Sequence, residues 1–346
     1  MIEHPPIQPT PVGALRFNTD SARLEYFDGN EYVDITTDTS EKHGGTLALC
    51  GSMGNDAVMS NAVDKVNMST TGNGVDYADL NYSNSQNGAF GSRTQSVFFG
   101  GYTDPASAVV TNCDYVLTAS GGTAIAGGAL TQARRGMGAG LANSTRGIAM
   151  GGYTPAASPT NASNVIDYTT MSEKSAFVDF GDLSDGRERT GAVASPTRGV
   201  HIGGINSPNQ GSPYSNTMEF VTISTLGNAT DFGDMQDGRV FCSSASNAIR
   251  GLIVGDSYPI TNVITFITIA TLGTDQDFGD MYSARDGACS AASSTRIVTM
   301  GGRNPSNSNE IDYGQIMTKG NFVDFGNLSS TATFMGGCSN GHGGLG

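Results

Sequence analysis

A segment of about 50 residues recurs along almost the whole chain, and this periodicity narrows the possible folds more than any other feature. Its marker is an acidic corner ending in Leu or Met. In register it reads Ala78-Asp79-Leu80, Gly128-Ala129-Leu130, Gly181-Asp182-Leu183, Gly233-Asp234-Met235, Gly279-Asp280-Met281 and Gly326-Asn327-Leu328. Successive spacings of 50, 53, 52, 46 and 47 residues place the variation in loops.

Each repeat keeps its landmarks in order. An apolar run such as Val97-Phe98-Phe99, Ile148-Ala149-Met150 or Val298-Thr299-Met300 precedes a Gly doublet or its replacement, at Gly100, Gly151, Gly203, Gly255 and Gly301. Such runs read as buried inner strands. A third strand follows, as in Asn164-Val165-Ile166-Asp167-Tyr168 and Asn309-Glu310-Ile311-Asp312-Tyr313, where the alternation suits one buried face. A fourth, such as Phe177-Val178-Asp179-Phe180, runs into the next corner. Four strands per repeat make one propeller blade. The last repeat stops after about one strand, Ala332 to Asn340, while Thr46–Gly51, Asn61–Val66 and Val75–Ala78 supply a second, third and fourth. The expected fold is therefore all-β: a six-bladed β-propeller over 44–346. Its blades run at about 79–127, 128–180, 181–232, 233–278 and 279–325, with a composite closing blade made of 326–346 and 44–78. Closure by a shared blade protects the edges that an open array exposes.

The repeat resembles a kelch-type repeat. The resemblance rests on the apolar strand ending in Gly151-Gly152, Gly203-Gly204 or Gly301-Gly302, on the later aromatic (Tyr168, Phe220, Phe266, Tyr313) and on the aromatic closing the blade (Phe180, Phe232, Phe278, Phe325). It departs from that pattern in having no Trp and in placing Asp256 after Gly255.

Residues 1–43 stand apart from the array. His4-Pro5-Pro6-Ile7-Gln8-Pro9-Thr10-Pro11 reads as an extended, polyproline-like arm. Gly13–Thr19 and Leu24–Ile35 then alternate apolar and polar residues around turn signals, with Asp28-Gly29 a hairpin cue. This small β-meander is too small to be stable alone, so Leu15, Phe17, Tyr26, Phe27 and Tyr32 are candidate anchor residues. The segment resembles short β-motifs in tail and appendage proteins of tailed bacteriophages. Runs such as Ser224–Asp234 are similar to those of marine phage structural proteins, cyanophage ones in particular. The resemblance implies a virion structural protein of the tail-fibre or appendage type, located in the virion after assembly in the host cytoplasm.

Composition agrees with that expectation. Formal charge is −14, and no basic cluster offsets the acidic field, so no nucleic-acid partner is expected. Forty-eight Gly, with abundant Ser, Thr and Asn, meet the demand for tight turns between many short strands. No run is long enough to cross a membrane, and the Pro-rich start has no basic-apolar signal, which points to synthesis in a cytosol. Cys50, Cys113, Cys242, Cys289 and Cys338 are odd in number, scattered and without a CxxC pair, so they read as small buried hydrophobes.

Two Arg series repeat from blade to blade. Arg134, Arg187, Arg239 and Arg285 lie four residues past the corner Leu or Met; Arg146, Arg198, Arg250 and Arg296 precede the inner strand, with Arg93 a near match. The plain reading pairs them with loop carbonyls or with the corner acids Asp182, Asp234 and Asp280; the sharper one is a cationic ring for an acidic sugar or a partner's carboxylate. The recurring Asp-Phe-Gly-Asp units raise a calcium site, but no EF-hand spacing is present, and neither metal nor cofactor is expected. His4, His43, His201 and His342 are the only histidines, and neither a Gly-x-Ser-x-Gly elbow nor a zinc helix occurs, so catalysis is not expected. Loops at Tyr102–Val110, Tyr153–Ser163 and Ile205–Ser215 follow the second strand in three adjacent blades and would share a rim, which makes Tyr102, Tyr153 and Tyr214 candidate contact residues.

Three functions fit. A virion appendage would be held to other virion proteins through residues 1–43 while the propeller binds a host-surface glycan or protein, or acts as a spacer; a trimeric mount and many copies per particle would suit it. A capsid decoration protein and a glycan-processing propeller are the alternatives.

Overall fold

The computed structural model describes residues 10–18, 23–34, 45–54, 58–104, 108–136, 140–155, 161–206 and 214–341, so most of the Pro-rich arm and the middles of the three rim loops fall outside it. Two compact units emerge, Met1–Lys42 and His43–Gly346. Among the described residues every regular element is a strand, and the expected all-β fold with four-stranded antiparallel sheets is present.

The first unit is a three-stranded antiparallel meander, Leu15–Asn18, Arg23–Phe27 and Tyr32–Asp34. Register sets its two faces. Leu15 opposes Tyr26, Phe17 opposes Leu24, and Tyr26 opposes Val33, so these five side chains share one face. All five are solvent-exposed, Leu15 and Phe17 by more than 60%. On the other face Arg16 caps the ring of Tyr32 at 3.7 Å and pairs with Glu25 at 2.7 Å, and Tyr32 packs on Phe27.

The second unit holds six sheets. Five are four-stranded, and in four of them each strand neighbours the next in sequence, as in Gly191–Ala194, Arg198–Ile202, Thr217–Thr222 and Thr230–Asp234. The sixth joins the chain's distant ends: Gly336–Ser339 pairs antiparallel with Leu47–Gly51, which leads to Ser60–Asn67 and then Val75–Ser85. Two short strands, Tyr102–Thr103 and Ala108–Val109, extend this sheet beyond Val75–Ser85.

The Phe-Gly-Asp corner lies inside the fourth strand, where the register slips between Ile166 and Asp167 opposite Asp179 to Gly181. Gly181 has φ +150°, and a Cβ there would meet the Gly227 carbonyl of the next sheet at 2.4 Å, so sheets approach backbone to backbone at this point. The inner strands end where both residues of a Gly doublet take positive φ, +64° and +102° at Gly151 and Gly152.

Between neighbouring sheets lie apolar clusters, one per junction. Phe90, Val97, Phe99 and Tyr115 meet Leu130, Met171 and Phe177; Ile148, Met150 and Phe180 meet Ala192, Val221 and Ile223; and Cys50, Val66 and Met68 meet Val298, Met300 and Ile311. The first strands of the six sheets touch in cyclic order around an axial cavity of about 70 Å³.

A polar side chain also spans each junction and donates to the carbonyl just past the neighbour's third strand. Arg146 reaches Ile223 at 2.9 Å, Arg198 reaches Ile269 at 2.9 Å, Arg250 reaches Ile316 at 3.1 Å, and Arg296 reaches Met68 and Ser69 at 2.9 and 3.0 Å. Each guanidinium also lies over a third-strand ring, Tyr168, Phe220, Phe266 or Tyr313, at 4.2–4.9 Å. At the other two junctions Gln95 reaches Met171, and Tyr77 reaches Thr118.

At the axis a closed cycle of backbone hydrogen bonds completes the assembly. Gln86 N–H donates to Phe334, Phe334 to Gly287, Gly287 to Phe241, Phe241 to Arg189, Arg189 to Gly136, and Gly136 back to Gln86, over 2.7–3.4 Å. All six residues lie six past the corner Leu or Met, and all have φ between +55° and +62°. Four of them are not glycine, at a cost of roughly 1–2 kcal/mol each.

Two outcomes follow. Arg296→Ala, which removes charged hydrogen bonds and a ring contact at the junction joining the chain's ends, lowers unfolding free energy in urea by about 2–3 kcal/mol, and Arg296→Lys restores less than half of it. All five thiols are buried, and burial pushes Cys242 and Cys338 up to about 12; iodoacetamide at pH 8 therefore labels the folded protein slowly and all five cysteines once it is unfolded.

Candidate functional site

Repeated charge in this fold is mostly structural. Arg134, Arg187 and Arg285 are buried, and each pairs with one or two acids on the third strand of its own sheet: Arg134 with Asp167 at 2.5 Å, Arg187 with Glu219, and Arg285 with Asp312 and, at 3.2 Å, Glu310. Some of their other donors serve backbone carbonyls, such as Gly151 and Val165 for Arg134 and Thr217 for Arg187, while the three Nε–H groups find no partner. The corner acids are thus not the arginines' ion partners. Asp182, Asp234 and Asp280 sit on the bulged outer strand, partly or fully exposed, while the third-strand acid lies between strands where the guanidinium enters.

The same acids also cap the loop after the corner. The backbone N–H following each corner Leu or Met is bound by Asp114, Asp167, Glu219, Asp312 or Asp64, at Asn81, Thr131, Ser184, Tyr282 and Ser329. In the remaining sheet Thr265 occupies the acid's position, Asp275 caps Gln236 instead, and among the described residues Arg239 bonds the Val263 and Gly255 carbonyls at 3.2 and 3.5 Å. Burial raises Asp312 to about 6 against the opposing pull of Arg285, and it lowers Arg134 and Arg187 despite their acids. His201 is fully buried, neither ring nitrogen has a hydrogen-bond partner, and burial keeps it neutral by lowering its pKa well below the usual value. Among the described residues no group of three or more His, Cys, Asp or Glu is placed to hold a metal.

Further cations and rings cluster around the axial cycle. Arg189 covers Phe241 at 4.7 Å, Phe241 packs on Phe334 at 4.7 Å, and Arg303 covers Phe334 at 4.6 Å, a row of cation, ring, ring and cation across the mouth. Just outside the cycle, Arg303 pairs with buried Asp286 at 3.0 Å. Glu188, also buried, lies 3.6 Å from Arg189, and burial raises its pKa while Arg189 and Arg135 pull it down.

The three rim tyrosines divide. Tyr102 and Tyr153 both pack against Arg135, whose guanidinium lies 5.1 and 4.6 Å from their ring centres. Tyr214 instead stacks on Tyr258 at 5.4 Å with a 16° tilt, beside a cavity of about 600 Å³ lined by Asp237, Arg239 and Asp256 among others. Sequence reasoning missed Arg135, Arg189, Phe241 and Phe334. The available signal was Gly136 and Gly287, which recur at the same offset from the corner and betray a left-handed position in every repeat.

Of the anchor candidates, Leu15, Phe17 and Tyr26 lie on the exposed apolar face of the meander, and Phe27 and Tyr32 on the opposite face with Arg16. No protein-family model matches the chain, and no curated protein does.

The two sets of acids separate under mutation. Asp167→Ala leaves Arg134 buried without its ion and costs about 3–5 kcal/mol in chemical denaturation, whereas Asp280→Ala stays within about 0.5 kcal/mol.

Proposed function

We propose that this chain is a structural protein of a bacteriophage virion, of the tail-fibre or appendage type, whose second unit is a six-bladed kelch-like β-propeller. The propeller reading is supported by the closed hydrogen-bond cycle at the axis, by apolar clusters at the sheet junctions and by the sheet that unites residues 47–85 with Gly336–Ser339. The meander mounts the protein on another virion protein, and the axial mouth, with the loops beside it, faces a host surface.

The observation that carries the mounting role is the exposed face of Leu15, Phe17, Leu24, Tyr26 and Val33. A three-stranded meander with five apolar side chains in water has nothing to bury them in by itself, and a covering partner removes that cost. The chemistry of the second unit supports binding over catalysis, because Asp167, Glu219 and Asp312 are committed to arginines and loop amides. Many copies per particle convert weak single contacts into durable attachment.

Leu15→Asp/Phe17→Asp double-mutant protein folds its second unit but is missing from purified particles, as measured by mass spectrometry of virions. Wild-type protein added to host cells binds saturably and competes with phage adsorption. Incorporation unaffected by the double mutation overturns the mounting role, and absence of cell binding reduces the second unit to a spacer.

A further inference from the structure

The sheet that contains Arg250–Ser257 and Ile260–Thr268 departs from the repeat in three ways, and all three bear on one cleft. Asp256 stands where Gly101, Gly152, Gly204 and Gly302 stand in other sheets. The two strands stay paired as far as Ser257 opposite Ile260, so Tyr258-Pro259 makes a tight turn where three other sheets carry the long rim loops. Thr265 replaces the third-strand acid, so Arg239, 5% exposed, has no ion pair among the described residues, unlike Arg134, Arg187 and Arg285. These changes border the cavity of about 600 Å³ whose walls include Tyr214, Asp237, Arg239, Asp256 and Tyr258.

The polar groups in this wall are open to a ligand. Nη1 of Arg239 donates to the Val263 and Gly255 carbonyls, while Nε and Nη2 have no partner among the described residues. The Nε–H groups of Arg134, Arg187 and Arg285 are sealed inside the protein; no unpaired nitrogen of Arg239 is sealed in this way, so its free donors reach the cleft. A guanidinium this buried and without an ion is costly, and a ligand that accepts from it relieves the cost. Asp256 accepts the N–H groups of Val240 and Ser257 through Oδ1, at 3.0 and 2.6 Å, which fixes the carboxylate and leaves Oδ2 with acceptor capacity. Tyr258 is 55% exposed and stacks on Tyr214, whose carbonyl lies against Gly238, where a Cβ would meet it at 2.0 Å. The aromatic wall is thus braced by the corner loop that carries Arg239.

The occupant needs an acceptor for Arg239, a donor for Asp256 and a face of C–H groups for the tyrosine rings. It is neutral, because Asp237 and Asp256 outnumber Arg239 in the wall and the chain carries a net charge of −14, so a carboxylate or phosphate is repelled. A pyranose ring meets each requirement: each hydroxyl both donates and accepts, and one face carries C–H groups. The cavity is within the size range of small-molecule sites. We infer that this cleft binds a neutral hexopyranose unit of a surface glycan, with neighbouring hydroxyls between Arg239 and Asp256 and a C–H face against Tyr258. This deepens the adhesion reading above and rests on it for its biological setting, while the site itself is tested on the purified protein.

The experiment is saturation-transfer NMR on the full chain with the methyl glycosides of glucose, galactose and mannose. Glucuronic acid serves as the anionic arm, and glycerol as a polyol without a ring face. The expected result is saturable transfer to the ring C–H protons of at least one neutral glycoside, with affinity on the order of 1 mM, and at least tenfold weaker binding of both controls. Tyr258→Ala removes the platform from an exposed turn; Asp256→Asn keeps the Oδ1 acceptor for Val240 and Ser257 and removes the charge. Each weakens binding at least tenfold while the melting temperature shows the fold intact, and Tyr82→Ala, at a tyrosine similarly exposed outside the cleft, leaves it unchanged. Transfer that is absent for all three glycosides, matched by glucuronic acid or glycerol, or unchanged in Tyr258→Ala overturns the site. Specific sugar binding without competition for phage adsorption keeps the site and overturns the adhesion reading instead.

Discussion

Six peptide N–H groups bonded head to tail around one axis are the constraint on which the second unit depends. Each bond joins one sheet to the next, so no sheet can tilt or slide without breaking two of them. The geometry needs a left-handed backbone at every station, and the chain accepts it even where the residue is Gln86, Arg189, Phe241 or Phe334. The cycle also decides where the first strands begin, and those strands bring the small residues around the axis into contact.

Farther out the same junctions are held twice more, by apolar clusters and by side chains bonded to the neighbour's carbonyl. The donor is Arg at four junctions, Gln95 at one and Tyr77 at one, while its acceptor always follows a third strand. The position matters more than the residue. Buried charge obeys a similar logic, for an acid on the third strand both neutralises an arginine and caps the loop that carries it. A buried pair that also satisfies backbone groups is less costly than an isolated one, because fewer lone pairs and protons go without partners.

The strands and their grouping were legible because hydrophobic runs, Gly doublets and Asn-x-φ-Asp-Tyr segments repeat as residue types, and the all-β sheets follow directly. The pairing of Gly336–Ser339 with Leu47–Gly51 was legible because the two fragments each lacked what the other had. The axial site was not, since Gln86, Gly136, Arg189, Phe241, Gly287 and Phe334 share a backbone conformation and no chemistry. Reading Asp182, Asp234 and Asp280 as partners of the arginines failed for a different reason. Proximity in sequence favoured them, but a bulge puts them on the outer strand, and the acids nearest in space come from a strand about 30 residues later. Tyr102 and Tyr153 were picked out through loop length alone, and the cation both rings approach, Arg135, belongs to the preceding corner loop of the sheet that carries Tyr153.

The pairing of Gly336–Ser339 with Leu47–Gly51 also sets the order in which the molecule can be made. During synthesis the strand Leu47–Gly51 emerges early and keeps an open edge while nearly 300 further residues are added, so the early sheets wait on the ribosome with one flank uncovered. Closing that edge is a step of very high contact order and waits until Gly336–Ser339 has been made. The same edge can also pair with Gly336–Ser339 of a second copy, so at high protein concentration self-closed and strand-exchanged chains compete through one four-residue pairing.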